Sequence, residues 1–321
     1  MKTMLWRTIG AAFMAVAIPA LAQQYPNRPV RVVVPFPPGG GTDVVARLVI
    51  HKLAEAMGAN FLVDNRSGAG GMLGTEVVAR AAPDGYTLGI VSGSHAINPS
   101  LYKKIPFDAV RDFEPVTMLV SGPGVLVVHP SLPARSAKAL IQLARSRPGA
   151  IDYASAGNGT PPHLAAELFK TMARVDLVHV PYKGNGPAMT DLLSGRVSLS
   201  FPTIPSALPH VRSGRLNALA VTSARRSHAV PEIPTIAESG VPGYEASSWY
   251  GVLAPAGTPR AIIERLHKEI VGVLGEATVR EKLVARGLDP VGTAPRDFAA
   301  TIQSEIAKWA KVVRASGARP E

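Results

Sequence analysis

Short runs of β-branched residues alternate along this chain with longer segments in which apolar residues recur every three or four positions. The runs at residues 30–36, 60–66 and 86–92 are typical of buried strands, and the segments at residues 43–57 and 75–82 are typical of amphipathic helices. Strands that alternate with helices in this way predict an α/β architecture with largely parallel sheets.

The same plan begins a second time in the middle of the chain. Residues 113–130 predict two strands interrupted at Gly122-Pro123-Gly124, and such a break inside an extended run favours a crossing between lobes. A strand at residues 151–157, a glycine turn and a helix at residues 163–172 then repeat the order of the first half, and a further strand is predicted at residues 197–204. The strand, turn and helix unit is therefore duplicated, although the amino-acid sequence itself does not repeat.

A connection rich in proline and glycine at residues 230–245 precedes the predicted return strand, and the chain from residue 259 onward is helical by pattern. The sequence therefore predicts two similar α/β lobes joined by a hinge of two crossings. Residues 23–123 and 245–321 form one lobe, and residues 124–244 form the other. Open α/β sheets bind ligands beyond the carboxyl ends of their strands, so we expect the ligand in the cleft between the lobes.

Residues 1–22 have the build of a secretory signal peptide. Lys2 and Arg7 flank the start of an apolar run that is short for a membrane span, and Ala20-Leu21-Ala22 has the small residues of a cleavage site. An uncleaved anchor is the alternative. The chain contains no cysteine, which excludes disulfides, a thiolate nucleophile and attachment of a lipid to cysteine. We expect a soluble exported protein, and the periplasm fits this expectation.

The chain is basic, with a formal net charge of +11. A positive surface raises the encounter rate with anions, although plain solubility also accounts for it. The basic residues are scattered and aromatic residues make up only 6% of the chain, so the basic and aromatic stripe of a nucleic-acid-binding protein is missing. A small anionic ligand is the better expectation.

The stretch PFPPGGGTD, residues 35–43, places a glycine turn between a strand and a helix. Glycines leave backbone N–H groups accessible, and the helix dipole favours negative charge at this end of the helix. No Gly-Lys-Ser/Thr follows and the spacing is not G-x-G-x-x-G, which argues against a nucleotide. A tight turn that merely ends a strand is the other interpretation.

The stretch SAGNGTPPH, residues 155–163, has the same composition in the second half. Thr160 is a natural helix cap there, and proline is tolerated at a helix start. Two such turns at corresponding places of two lobes favour capture of a carboxylate by N–H groups and hydroxyls. Lys183, in a nearby loop, either pairs with that carboxylate or is a solvated lysine.

Motifs of catalysis and metal binding are missing from the sequence. There is no G-x-S-x-G elbow, no H-E-x-x-H and no histidine spacing suited to a metal, so we expect neither a metal nor a cofactor. His95 and His163 are predicted to lie in loops that reach the cleft, where a hydrogen-bonding or capping role is expected. Binding through backbone groups is expected to survive His163→Ala and to weaken with Gly159→Val.

Several segments in order resemble the Bug family, the substrate-binding proteins of tripartite tricarboxylate transporters. They are YPNRPVRVVVPFPPGGGTDVVAR, NRSGAGGMLGTEVVARAAPDGYTL, YASAGNGTPPHLAAELF, VHVPYKGNGPAMTDLLSGRV, IPTIAESGVPGYE and WYGVLAPAGTP. The resemblance implies a type II periplasmic-binding-protein fold and a monomeric, non-catalytic receptor. It also implies a small carboxylate as the ligand and the membrane components of the transporter as partners.

The resemblance further implies which residues bind the ligand. One jaw consists of Pro37, Gly39, Gly41 and Thr42. The other jaw consists of Ser155, Gly157, Asn158, Gly159, Thr160 and His163. Ser92, Ser94, His95 and Tyr182 line the walls. Pro202 departs from the polar residue that the family often has after this strand, which disfavours an amino-acid ligand.

Two other functions stay open at this point. A sensor partner that presents its ligand to a membrane kinase shares the binding chemistry and differs only in the downstream protein. An exported cofactor-independent enzyme acting on a carboxylate, with His95 or His163 as base, would need a nucleophile and base pair that the sequence does not show.

Overall fold

The computed structural model describes residues 25–227 and 229–319, so the predicted signal peptide lies outside the described residues. The described chain forms two sheets. The first has the strand order β11-β4-β10-β3-β1-β2, and the second has the order β7-β6-β8-β5-β9. The strands are β1 (Val30–Val34), β2 (Phe61–Asn65), β3 (Thr87–Ser92), β4 (Phe113–Pro123), β5 (Val125–Val128), β6 (Asp152–Ser155), β7 (Val178–Pro181), β8 (Leu199–Ser200), β9 (Asn217–Val221), β10 (Ser247–Pro255) and β11 (Asp289–Pro290).

Both sheets are mixed, which corrects the expectation of largely parallel sheets. Strand β1 is parallel to β2 and β3, and β6 is parallel to β7 and β8. Strand β10 runs antiparallel to both β3 and β4, and β5 runs antiparallel to β8 and β9. The long strand β10 brings the chain back from the other lobe and therefore enters the first sheet against the direction of its parallel members.

Helices cover the sheets, as the alternating pattern predicts. They are α1 (Gly41–Met57), α2 (Met72–Ala79), α3 (Ser94–Leu101), α4 (Ala137–Ser146), α5 (Pro161–Ala173), α6 (Asn185–Leu193), α7 (Ile204–Arg212), α8 (Arg260–Gly275), α9 (Ala277–Val284) and α10 (Pro295–Ser316). Among the described residues, no helix combines the length and the apolar character that a membrane span requires.

Two helices were not predicted. Helix α3 contains Pro99 and α7 contains Pro209, and a proline inside a segment is a signal against a helix. His95 was expected to lie in a loop, and the strand expected at residues 197–204 is only the two-residue β8, with α7 beginning at Ile204. Burial of residues such as Ile97 and Leu208 against the rest of the protein stabilises these short helices despite the prolines.

The chain passes from one sheet to the other at the predicted break. Strand β4 ends at Pro123, β5 begins at Val125, and β10 begins at Ser247 after the second lobe is complete. The buried Thr222 joins the two crossings, since its Oγ1 accepts from the N–H of Gly124 at 2.7 Å and donates to the carbonyl of Ala246 at 2.7 Å.

Helix α10 packs against both lobes. It contacts α3 and β4, and also α5 of the second lobe, and its Trp309 and Val313 belong to an apolar cluster that contains Leu126 and Leu164. Because α10 contacts both lobes, the residue boundaries proposed for the lobes stay a prediction. One apolar cluster contains residues of both lobes, and the loops between the lobes form the candidate site.

Candidate functional site

Two adjoining cavities lie between the lobes, and both glycine turns contribute to them. The first, of about 570 Å³, is called here the hydroxyl cavity because its lining includes the side chains of Thr42, Ser92, Thr160, Thr203, Ser248 and Tyr250. The second, of about 1080 Å³, is called the glycine cavity and is lined by residues 35–37, 67–71, 102, 156–158, 160 and 182–184.

The N-terminus of α1 opens into the hydroxyl cavity. Gly40 is the N-cap, Gly41 and Thr42 line the cavity, and the N–H of Val44 bonds to the carbonyl of Gly40 at 2.9 Å. The first N–H groups of a helix have no partner within it, and among the described residues those of Gly41 and Thr42 have no acceptor. These N–H groups and the positive end of the helix dipole make this end of the cavity favourable for an anion.

A buried carboxylate fixes the first turn. Asp43 Oδ2 accepts from the N–H of Gly39 at 2.9 Å and from Arg47 Nε at 3.0 Å, and Asp43 Oδ1 accepts from Asn65 Nδ2 at 2.9 Å. Asn65 Nδ2 also donates to the carbonyl of Phe36 at 3.0 Å. Burial alone would raise the pKa of the Asp43 carboxyl, but the hydrogen bonds from Arg47, Gly39 and Asn65 outweigh burial and lower it. Asp43 is therefore ionised at neutral pH.

The second turn is hydrogen-bonded mainly to itself. The N–H of Gly157 donates to Ser155 Oγ at 3.1 Å, the N–H of Gly159 donates to His163 Nδ1 at 3.0 Å, and the N–H of Thr160 donates to the carbonyl of Gly157 at 3.3 Å. Helix α5 begins with Pro161 and Pro162, which have no N–H. The second turn thus offers fewer free N–H groups than the sequence led us to expect.

Two stacked histidines hydrogen-bond with the second turn. The rings of His163 and His179 lie 4.1 Å apart, and His179 Nε2 hydrogen-bonds with Ser155 Oγ at 2.6 Å. Burial lowers the pKa of His163 to about 4 with help from Lys170, and burial together with His163 lowers the pKa of His179 to about 3. Both imidazoles are therefore neutral at pH 7, as acceptance of the Gly159 N–H by His163 requires.

The predicted wall residues divide between the cavities and the interior. Ser92 lines the hydroxyl cavity, and Tyr182 lines the glycine cavity with its hydroxyl donating to Asp191 at 2.8 Å. Ser94 and His95 instead lie buried on α3. His95 packs against Phe107 and Phe113, and its Nε2 lies 2.8 Å from the carbonyl of Ala109. Burial lowers the pKa of His95 to about 4.

The structure brings together most but not all of the predicted binding residues. Pro37, Gly41, Thr42, Ser92, Gly157, Asn158, Thr160 and Tyr182 line one or both cavities. Gly39, Ser94, His95, Ser155, Gly159 and His163 line neither, because their polar groups are bonded within the turns or their side chains are buried under them. The expectation that both histidines lie in loops is wrong, since His95 belongs to α3 and His163 to α5.

Sequence reasoning missed several cavity residues. Thr203, Ser248 and Tyr250 come from α7's N-cap and from β10, far from either glycine turn in the chain. Burial raises the pKa of Tyr250 to about 12, opposed by its hydrogen bond to Thr42. Residues 67–71 form a third glycine-rich segment beside the glycine cavity, with an SGAGG sequence whose only available signal was its composition.

The described cavity walls carry almost no charge. Lys183 is the one charged residue among them, and it is exposed with no ion-pair partner among the described residues. Within the part of the chain that the structure describes, no group of three or more His, Cys, Asp or Glu residues is arranged to hold a metal ion. The cavities therefore present hydroxyls, N–H groups and one cation, without a carboxylate that would repel an anion.

Comparison with known proteins identifies the family. Residues 45–318 match the family model described as "Tripartite tricarboxylate transporter family receptor". The chain belongs to this family. Family members are transporter receptors, which bind their solutes and are not enzymes.

Individual relatives agree with this assignment. Protein BugT of Bordetella pertussis is 42% identical to the receptor over 310 residues, which cover 96% of this chain and 95% of BugT. A solved structure of Rpa4515 from R. palustris with adipate has 42% identity and a TM-score of 0.88 and covers 92% of this chain and all of that chain (100%). The periplasmic binding protein BugD has 33% identity and a TM-score of 0.86, with 92% of this chain and 100% of BugD covered. The receptor has the type II periplasmic-binding-protein fold of these relatives.

Proposed function

We propose that this receptor captures a small carboxylate in the hydroxyl cavity, with the carboxylate at the N-terminus of α1. The observation that carries the proposal is the pair of N–H groups of Gly41 and Thr42 at a cavity that is lined by six hydroxyl-bearing residues and by no charged residue. A carboxylate bound there replaces its hydration by N–H and O–H donors without needing a fixed cation.

The two glycine turns have different roles in this proposal. The first turn supplies N–H donors and is fixed by Asp43, whereas the second turn supplies a closely fitting wall through Gly157, Asn158 and Thr160. Asn185 and Ser248 line the hydroxyl cavity, and among the described residues their side chains have no hydrogen-bond partner. They are available to bind the ligand.

The proposed site of action and the proposed partner are supported by the relatives and not by the cavity. Solved relatives are described as a periplasmic transporter and a periplasmic binding protein, and the relative at 42% identity was solved with adipate. These descriptions support our proposal that this receptor acts in the periplasm. Its cargo is a small carboxylate, of which a dicarboxylate is the leading candidate, and it passes that cargo to the membrane components of a tripartite tricarboxylate transporter.

A thermal-shift screen of the purified protein tests the proposal. Malate, succinate, adipate and aromatic carboxylates are each added to ligand-free protein. A ligand at one hundred times its dissociation constant stabilises the fold by about 2.7 kcal/mol, which raises the unfolding temperature measurably. If no carboxylate raises that temperature in protein shown to be folded and ligand-free, the proposed function is wrong.

A variant of the cavity assigns the binding to this site. Thr42→Val keeps the shape of the side chain and removes its hydroxyl, so we expect it to weaken carboxylate binding about threefold to tenfold. Ser304→Ala, on the exposed face of α10, removes a hydroxyl far from the cavity and serves as the control. Equal weakening by both variants would contradict binding in the hydroxyl cavity.

A further inference from the structure

A third cavity lies at the connection between the two lobes. It has a volume of about 890 Å³, shares no lining residue with the hydroxyl cavity or the glycine cavity, and is called here the hinge cavity. The end of β4, the start of β10, β11 and the segment of residues 223–227 after β9 contribute to its lining. The hinge cavity is therefore built from both sides of the lobe crossings.

Consecutive residues of β10 line the hinge cavity and the ligand cleft. Ser247 lines the hinge cavity, whereas Ser248 lines the hydroxyl cavity. Successive side chains of a strand point to opposite faces of the sheet, so the two cavities lie on opposite sides of β10. The hydroxyl of Thr222 joins the two crossings through its bonds to Gly124 and Ala246. A rotation of the lobes about these crossings therefore widens the hinge cavity when it closes the ligand cleft.

The lobes approach each other closely across the ligand cleft. A Cβ added to Gly41 would lie 3.6 Å from Thr203 Oγ1, and one added to Gly93 would lie 3.4 Å from Pro161 Cγ. Within the proposed lobe boundaries, both glycines belong to the first lobe, and Thr203 and Pro161 belong to the second. The lobes are thus close together at the cleft, which is the arrangement in which the hinge cavity is wide.

Charges of opposite sign line the hinge cavity from opposite lobes. Within the proposed boundaries, the acids Glu245 and Asp289 belong to the first lobe, and Arg225 belongs to the second. Among the described residues, none of these three side chains has an ion-pair partner. The other charged lining residue, Arg226, is paired with Glu238 at 3.0 Å. Arg225 is therefore the cation of this cavity that is available to the two acids.

The elements that carry these charges place them on either side of the crossings. Asp289 is opposite Ser121 in the register of β11 and β4, and residues opposite each other in neighbouring strands lie on the same face of a sheet. Ser121 also lines the hinge cavity. Arg225 lies three residues beyond Thr222, in the segment after β9. A narrower hinge cavity brings this long side chain towards the acids, and the attraction between opposite charges grows as their separation falls.

We propose that Arg225 pairs with the carboxylates of Asp289 and Glu245 when the ligand cleft opens, so that these ion pairs hold the empty receptor open. The inference rests on the proposed carboxylate function and adds a device that regulates it. A carboxylate that binds at α1 must separate the charges again to close the cleft, and this lowers its apparent affinity. The receptor then closes less often without cargo and releases its cargo more readily.

Charge reversal in the hinge cavity tests the proposal by calorimetric titration. The probe is whichever of malate, succinate, adipate and the aromatic carboxylates binds the unaltered protein most tightly. Arg225→Glu replaces attraction by repulsion among three acids and keeps the hinge cavity wide. Because ion pairs between exposed side chains are weak, we expect this variant to bind the probe about twofold to fivefold more tightly.

Two further variants separate the position of the charge from its sign. Arg135→Glu makes the same change of charge at an exposed residue of the second lobe outside the hinge cavity, and it should not tighten binding. Arg225→Glu combined with Asp289→Arg places opposite charges across the cavity again and should restore the affinity of the unaltered protein.

Small-angle X-ray scattering of the ligand-free proteins supplies a readout that needs no ligand. Arg225→Glu removes the ion pairs that favour the open form, so its cleft should be closed for more of the time. We therefore expect a smaller radius of gyration for Arg225→Glu than for the unaltered protein and for Arg135→Glu.

The outcomes separate the two proposals. If none of the acids binds the unaltered protein, the proposed carboxylate function fails, and the scattering comparison alone decides on the ion pairs. If Arg225→Glu binds the probe no more tightly than Arg135→Glu, or if the double variant keeps the tighter binding, the carboxylate function stands and the role of Arg225 is overturned. Equal radii of gyration for Arg225→Glu and the unaltered protein would overturn it as well.

Discussion

His163 Nδ1 lies 3.0 Å from the backbone nitrogen of Gly159 and accepts its hydrogen bond. An imidazole at the start of α5 thus fixes the path of the turn that precedes the helix. Because His163 also stacks on His179, which bonds to Ser155, the turn rests on two neutral rings. The sequence predicts that ligand binding survives His163→Ala. The structure predicts weaker binding instead, because the substitution leaves the N–H of Gly159 without its partner.

The buried histidine predicts a loss of stability in acid. The pKa of His163 is about 4 in the folded protein, against about 6.5 for an unfolded histidine, so below pH 6.5 the unfolded state takes up more protons. The stability that His163 contributes as a neutral group is complete above pH 6.5 and is lost as the pH falls towards 4, by about 1.4 kcal/mol for each pH unit. Urea unfolding between pH 4.5 and 7.5 measures this slope.

His163→Asn isolates that contribution, because an amide oxygen still accepts from Gly159 and does not titrate. We expect this variant to have a shallower pH profile than the unaltered protein. His51→Asn, whose side chain is 74% exposed on α1, is the matched control and should leave the profile unchanged. An identical slope in the His163→Asn variant would show that proton uptake by His163 does not cause the loss of stability in acid.

Asp43→Ala should destabilise the fold and weaken ligand binding together. The substitution leaves the N–H of Gly39, the Asn65 amide and the Arg47 guanidinium without their shared acceptor, at a cost of about 2–3 kcal/mol in the free energy of unfolding. Asp297→Ala removes an exposed acid from the first turn of α10 and should cost less than about 1 kcal/mol. Chemical denaturation compares the two, and equal losses would exclude a special role for Asp43.

Gly41→Ala should obstruct the hydroxyl cavity. A Cβ there would lie 2.6 Å from the Tyr250 hydroxyl oxygen and 3.6 Å from Thr203 Oγ1, and overpacking of this kind costs about 1–3 kcal/mol. Removing that oxygen with Tyr250→Phe should recover part of the binding affinity lost by Gly41→Ala, as measured by calorimetry. Gly272→Ala in α8, where nothing lies within 4 Å, should stabilise the helix by about 0.5–1 kcal/mol. If Gly41→Ala bound ligand normally, the close fit at α1 would be unimportant.

Thr222→Val should loosen the connection between the two lobe crossings. The variant keeps the shape of the side chain but loses the hydroxyl that bonds to both Gly124 and Ala246 inside the protein, at a cost of about 1–3 kcal/mol. Thermal unfolding measures the cost. Thr301→Val, on the surface of α10, is the control, and an equal effect of both would mean that the crossings do not depend on Thr222.

Periodicity and glycine chemistry predicted the local elements but not their partners. The strand, turn and helix at residues 30–57 are present as β1 and α1, and both glycine turns reach the cleft, since each is specified by adjacent residues. The bonds from Asn65 and Arg47 to Asp43 connect a second strand to the first turn, and no local pattern encodes that meeting. The same holds for Tyr250, which β10 brings to Gly41 although the two residues are distant in the chain.

The internal bonding of the second turn also could not be predicted. Composition shows that Gly157 and Gly159 free the backbone, but it does not show that Ser155 and His163 use the resulting N–H groups. The sequence also did not predict α3, because His95 was expected in a loop, although Ser94, His95 and Asn98 are buried on that helix. The sequence patterns therefore predicted where the turns occur, but they did not predict which backbone N–H groups of those turns are free to bind a ligand.

The most direct test of the central claim is a crystal structure of the protein with a bound carboxylate that it has been shown to bind in solution. The account predicts carboxylate oxygens within hydrogen-bond distance of the N–H groups of Gly41 and Thr42, in the hydroxyl cavity between the two lobes. A carboxylate bound elsewhere in the cleft, with those two N–H groups facing water or an apolar part of the ligand, would contradict it.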